Sequence, residues 1–188
     1  LQLFAAGALP AWLPSYFNRY YHMPVDTAGK TSAVFLLLCG AGMVLCGMLS
    51  DRMAQARPER KVTLAMAYSS GSALCLLLAF QLQPSIPQLL LLGLAMFLVA
   101  GTTGPAGAIV ANLTPWALHG SAFAALTLAH NLIGLAPGPI LTGRAADALG
   151  LLGAFQLLPV ACLAATVVFA LARRTYLADL AARQPSPE

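Results

Sequence analysis

At 188 residues, 59% hydrophobic and 9% charged, with a mean hydropathy of +0.78, the chain has too few ionisable side chains to clothe a water-soluble globule, which carries about 25% charged residues. Its net charge of +4 is too small to point to nucleic acid, and its Lys and Arg residues gather at the ends of apolar runs without interleaved aromatics. Enzyme chemistry finds no components, because no G-x-S-x-G elbow, H-E-x-x-H pair or Walker loop is present and no Asp or Glu lies inside an apolar run.

Six segments reach or approach the roughly 20 apolar residues that a membrane-spanning helix needs. The first, about 1–20, contains Pro10 and Pro14 and mixes Trp12, Tyr16, Asn18 and Arg19. An aromatic belt at the outer interface accounts for it, and so does a cavity wall, since Trp12 and Tyr16 share a face by their spacing of four. The second, about 28–50, leads into the loop 47–61, which holds Asp51, Arg52, Arg57, Glu59, Arg60 and Lys61. A basic knot between two apolar runs has the form of a short cytoplasmic loop. Asp51 follows the helix C-terminus, where the dipole disfavours a carboxylate, so it needs a cationic or helix-N-terminal partner.

The third segment is about 62–83 and the fourth about 88–113. The fourth contains Gly101, Thr102, Thr103, Gly104 and Pro105, whose hydroxyls can meet a cargo or bond back to carbonyls one turn earlier. The fifth, about 117–141, places His130 and Asn131 near mid-membrane, where polar groups belong in the bundle interior or a wet cavity. His130 fits either cargo or proton binding, or a plain hydrogen bond to a neighbouring helix; for Asn131 packing is the simpler role. Pro137, Gly138 and Pro139 follow, and the two prolines break the ladder. Together with Gly104 and Pro105 they form either hinges or static kinks. The sixth segment is about 149–172. Cys39, Cys46, Cys75 and Cys162 lie in apolar runs without CxxC spacing and read as buried hydrophobes, so neither metal nor cofactor is expected.

The links are short, which makes consecutive helices antiparallel neighbours in one bundle over residues 1–174, with 175–188 as a cytoplasmic tail. Arg52, Arg57, Arg60, Lys61, Arg173, Arg174 and Arg183 fall on one side, against Arg19, Lys30 and Arg144 on the other. That bias puts the loop and the C-terminus in the cytoplasm. Gly47-x-x-x-Asp51 and Gly143-x-x-x-Asp147 share an offset that also pairs Gly42 with Gly138 and Thr31 with Thr127. The second and fifth helices thus repeat one another three helices apart, which makes the all-α membrane bundle a 3+3 inverted repeat.

Gly47-x-Leu49-Ser50-Asp51-Arg52 with Arg57, Arg60 and Lys61 resembles the loop signature of the major facilitator superfamily. Pro115-Trp-Ala-Leu-His119-Gly120-Ser-Ala122 is similar to the family's P-x-x-x-R-G-x-A entry to its eleventh helix, with His119 where Arg is usual. The run from Asn131 through Gly134, Pro137, Gly138, Pro139 and Gly143 to Asp147 resembles the eleventh helix of spinster-like members. The order of the motifs implies a C-terminal half, partnered by a missing N-terminal six-helix half, in a bacterial inner membrane. The resemblance implies secondary or facilitative transport of a small solute by rocker-type alternating access, with Gly47, Asp51, Arg52, Arg57, Arg60 and Lys61 as a cytoplasmic latch. Topology and headgroup anchoring are the simpler role for that loop. The apolar walls suit a neutral or amphiphilic cargo. A self-contained six-helix protein that dimerises, or a non-transporting scaffold, are the competing expectations. The chain opens inside an apolar run without Met, as a piece of a longer protein does.

Overall fold

The computed structural model describes residues 1–54 and 60–181, with side chains through Tyr176. Among these residues every regular element is helical: α1 (Gln2–Tyr20), α2 (Val25–Ala54), α3 (Arg60–Ala79), α4 (Ile86–Ala100), α5 (Thr103–Leu113), α6 (His119–Ala129), α7 (Pro137–Phe155) and α8 (Leu158–Ala181). A single 3-10 turn, Trp116–Leu118, precedes α6, and a π-helical turn, His130–Leu135, joins α6 to α7.

Among the described residues five stretches are long and apolar enough to cross a membrane: Val25–Ala54, Arg60–Ala79, Ile86–Leu113, Trp116–Phe155 and Leu158–Tyr176. The first of the six expected segments, α1, is not among them although it has 19 residues. Its place explains why. α1 packs against α2, α4, the π turn, α7 and α8, and Ala5, Ala8, Leu9, Leu13 and Phe17 are fully buried. A helix sheathed by neighbours rather than lipid can carry Gln2, Ser15, Asn18 and two tyrosines. With α1 the described residues hold six long helical stretches, close to the six expected from the sequence.

α2 shows the opposite extreme. Its buried residues, Ala28, Ser32, Phe35, Gly42, Cys46, Ser50 and Ala54, fall at spacings of three, four and seven, one narrow stripe on a 30-residue helix. Only 22% of its most apolar window is buried, and 11% of that of Trp116–Phe155. These are faces for lipid or for another helical body.

Two glycines carry the repeat into three dimensions. A Cβ on Gly42 would run into the Phe97 carbonyl, and one on Gly138 into the Phe4 carbonyl. The second helix of the first repeat thus presses its glycine on the first helix of the second, and the converse holds for α7 on α1. This reciprocal exchange is what an inverted pair requires. Small residues allow the close approach because membrane helices associate by van der Waals contact.

Two boundaries differ from the sequence reading. The fourth segment divides at Gly101–Thr102 into α4 and α5. Residues 142–148, read as a link, are helical, since Ala145, Ala146 and Ala148 favour helix over turn. The chain turns instead at Gly150, whose φ of 75° and ψ of 162° lie in a region open essentially to glycine. The last helix continues through Ala181.

Candidate functional site

A cavity of about 120 Å³ lies between α1, α5, the π turn and α8. Thr102, Thr103 and His130, expected as substrate-path residues, line it together with Gln2, Leu3 and Phe169. No Asp, Glu, Lys or Arg is among its lining residues. Thr102 is 4% exposed and its hydroxyl bonds back to the Val99 carbonyl at 3.4 Å, the local alternative foreseen for a helical threonine. The half-buried His130 imidazole has no hydrogen bond among the described residues. The simpler role of a histidine bonded to a neighbouring helix therefore has no partner there.

The other substrate-path residues lie elsewhere. Asn131 is exposed and returns its amide to the Thr127 carbonyl at 2.8 Å. Trp12 and Tyr16 do not act as one face. The Trp12 indole donates to the Pro139 carbonyl at 2.9 Å, whereas Tyr16 is 1% exposed inside a cluster with Tyr20, Phe80 and Phe155. Asn18 is exposed and donates to the Met23 carbonyl at 2.8 Å, closing the turn into α2.

Both expected hinge regions are real interruptions. Gly101 N–H bonds to Leu98 O at 3.1 Å, an i to i−3 tightening that ends α4 one turn before Pro105 removes a donor. At the other, Ala136 N–H reaches back five residues to Asn131 O at 2.9 Å. This widened turn absorbs the register change that Pro137 and Pro139 impose, and Pro139 O is taken by Trp12. Gly138 is buried against α1. Gly104 sits so close to α2 that an added Cβ would lie 3.0 Å from the Gly47 Cα. Gly104 and Gly47, expected in a hinge and in a latch, thus share one contact.

The residues expected as a latch are described in part. Lys61 Nζ lies 3.6 Å from Asp51 Oδ1, which gives Asp51 the cationic partner its position requires. Arg60 caps the end of α2 by donating to the Met53 carbonyl at 3.5 Å. Arg52 is exposed. Arg57 falls outside the described residues.

The comparisons with known proteins bear on this arrangement. The family model of the Major Facilitator Superfamily matches residues 1–187. The chain belongs to the major facilitator superfamily. No curated protein matches it. As a major facilitator chain it is an integral, multi-pass membrane protein of a family of transporters, and its work is membrane transport.

Sequence reasoning missed two polar constructions in this major facilitator chain. The first joins helix ends. Gln88, fully buried, donates to Tyr16 Oη at 2.9 Å, Ala79 O at 2.9 Å and Leu82 O at 3.1 Å, and accepts from Tyr21 Oη at 2.6 Å. Tyr21 Oη also accepts from Ser85 N at 3.2 Å, and burial pushes the phenol pKa up, so it remains a donor. Alongside, Leu152 N donates to Tyr20 Oη and Gln156 to Phe80 O, each at 3.2 Å. Gln156 thus ties α8's entry to α3's exit. The second construction is Gln2 with Ser72, at 2.6 Å. The only sequence signal for either was a lone glutamine near the end of an apolar run.

Proposed function

We propose that this chain is the C-terminal half of a secondary or facilitative transporter that moves a small, neutral or amphiphilic solute by rocker-type alternating access. The observation that carries the reading is the cavity of Thr102, Thr103 and His130, which abuts both helix interruptions, Gly101–Thr102 and the π turn. A solute held there touches the two places where the bundle has given up regular helix, and so can bias them. The absence of Asp, Glu, Lys and Arg from the lining favours an uncharged solute.

The positive bias places the Asp51–Lys61 end and the C-terminus in the cytoplasm of a bacterial inner membrane. There the Lys61–Asp51 pair and the Gly47–Gly104 contact form the latch. The exposed apolar faces of α2 and of the α6–α7 stretch are the docking faces for the N-terminal half, with lipid covering the rest. The same faces would serve a second copy of the chain, which is the competing reading. Light scattering of the full-length protein separates them: a monomer fits two halves in one chain, a dimer fits the rival.

The functional test is solute flux by the full-length protein in proteoliposomes. His130→Ala and Pro137→Ala are expected to reduce flux at least about tenfold with unchanged insertion, the scale of a misplaced binding group. Asn18→Ala, at an exposed turn away from the cavity, is expected to leave it unchanged. Normal flux in both of the first two variants would remove the cavity from the transport path.

A further inference from the structure

One end of the α3–α8 pair gathers positive charge at a single height. Gln156 donates to Phe80 O at 3.2 Å, and the Cys162 thiol lies against the Ser72 hydroxyl, so the two helices run antiparallel in a fixed register. Eleven positions further along each helix, about three turns, that register sets Arg173 of α8 level with Lys61 of α3, with Arg174 and Arg60 beside them. Like charges so placed repel one another. Among the described residues the acid at this end is Asp51, and it lies 3.6 Å from Lys61. Arg60, Arg173 and Arg174 are exposed. Over residues 51–61 and 173–188 seven Lys and Arg outnumber four Asp and Glu, so the end as a whole calls for an anion.

The helices themselves say which anion. α3 has 20 residues, the length that crosses the hydrocarbon core, so Arg60 at its start and the arginines level with it stand at the headgroup plane. From Arg174 an exposed stripe runs along α8 through Leu171, Val167, Leu163 and Val160, at spacings of three and four. Cations at the head of a long apolar stripe complement a phospholipid, with its phosphate at the boundary and its acyl chain in the core. A guanidinium takes two phosphate oxygens at once. Arg60 donates one Nη1 to Met53 O at 3.5 Å, out of five N–H groups that a guanidinium carries. A free phosphate would gain nothing from the stripe. We propose that this end of the α3–α8 pair binds a phospholipid of net negative charge, its phosphate on Arg60, Arg173 and Arg174 and one acyl chain along the α8 stripe. The site lies apart from the Thr103–His130 cavity and does not depend on how that cavity is read.

The test reads, by native mass spectrometry, which lipid stays on the full-length protein released from nanodiscs of equal parts dioleoyl phosphatidylglycerol and dioleoyl phosphatidylcholine. The two share acyl chains and a phosphate and differ in net charge. Phosphatidylglycerol is expected to be retained at least about tenfold over phosphatidylcholine. Arg60→Gln, Arg173→Gln and Arg174→Gln are each expected to lower that preference about fivefold, the effect of one basic residue close to an anionic lipid. Arg52→Gln removes the same charge at the same end but from α2, and is expected to change the preference less than about twofold. Equal retention of the two lipids overturns the proposal. So does an equal loss with Arg52→Gln, the mark of a diffuse field, and so does retention of neither lipid, which leaves the patch to a soluble partner. Should a glutamine variant fail to insert, its Arg→Lys counterpart keeps the charge and loses the fork; it is expected to lower the preference about threefold, and no loss overturns the proposal. No flux is read, so failure here leaves the transport reading standing.

Discussion

Single glycines decide whether helices in this bundle can meet. Gly42 and Gly40 lie two residues apart on α2, yet a Cβ at Gly42 collides with the Phe97 backbone, whereas at Gly40 it meets nothing within 4 Å. Backbone cannot rotate away as a side chain can. Gly42→Ala is therefore expected to cost about 3 kcal/mol, the upper range of overpacking, and Gly40→Ala to stay within about 0.5 kcal/mol. Thermal unfolding of the two purified variants checks the contrast; equal midpoints would contradict it. Gly150 tests a different cause. An added Cβ there has open space, but the backbone has φ of 75°. Gly150→Ala is expected to lose about 1–3 kcal/mol through conformation alone, measurable by the same melt. A neutral outcome would mean that the turn between α7 and α8 relaxes freely.

At the scale of elements, helices are held in register by few but concentrated polar contacts. Gln88 ties the entry of α4 to the exits of α1 and α3 and to the α1–α2 turn. Gln88→Leu keeps the volume and strands the buried Tyr16 hydroxyl, while Tyr21 keeps Ser85, so a loss of about 1–3 kcal/mol is expected in denaturant unfolding, the cost of an unmet buried group. A loss under about 0.5 kcal/mol would show that water or a new rotamer takes Gln88's place. This network also marks where the sequence stopped being readable. Apolar run lengths pointed to about six helical stretches but not to their ends, and Gly42, Gly47, Gly138 and Gly143 pointed to the repeat, because both signals are periodic and local. Gln88 and Tyr16 are 72 positions apart, and no local pattern links them. The π turn was half legible: Pro137 and Pro139 announced a broken ladder, but not that the chain would repair it by widening at His130–Leu135. Gly150 was hidden because Ala145, Ala146 and Ala148 extend a helix as readily as they form a short link.

On the scale of the whole molecule, α1 is the axis and α2 and the α6–α7 stretch are the exposed flanks. The Thr103–His130 cavity opens beside α1, next to both interruptions. In the candidate site, His130, Thr102 and Thr103 were legible because polar groups at mid-membrane are rare. The Gln2–Ser72 hydrogen bond was not, since the two residues are 70 positions apart. Alternating access requires that this cavity be reached from either side of the membrane in turn. The most direct test is the reaction of Thr103→Cys, in the full-length protein, with a membrane-impermeant thiol reagent applied separately to each face of oriented vesicles. The account predicts reaction from both faces; reaction from one face only, or from neither, would contradict it.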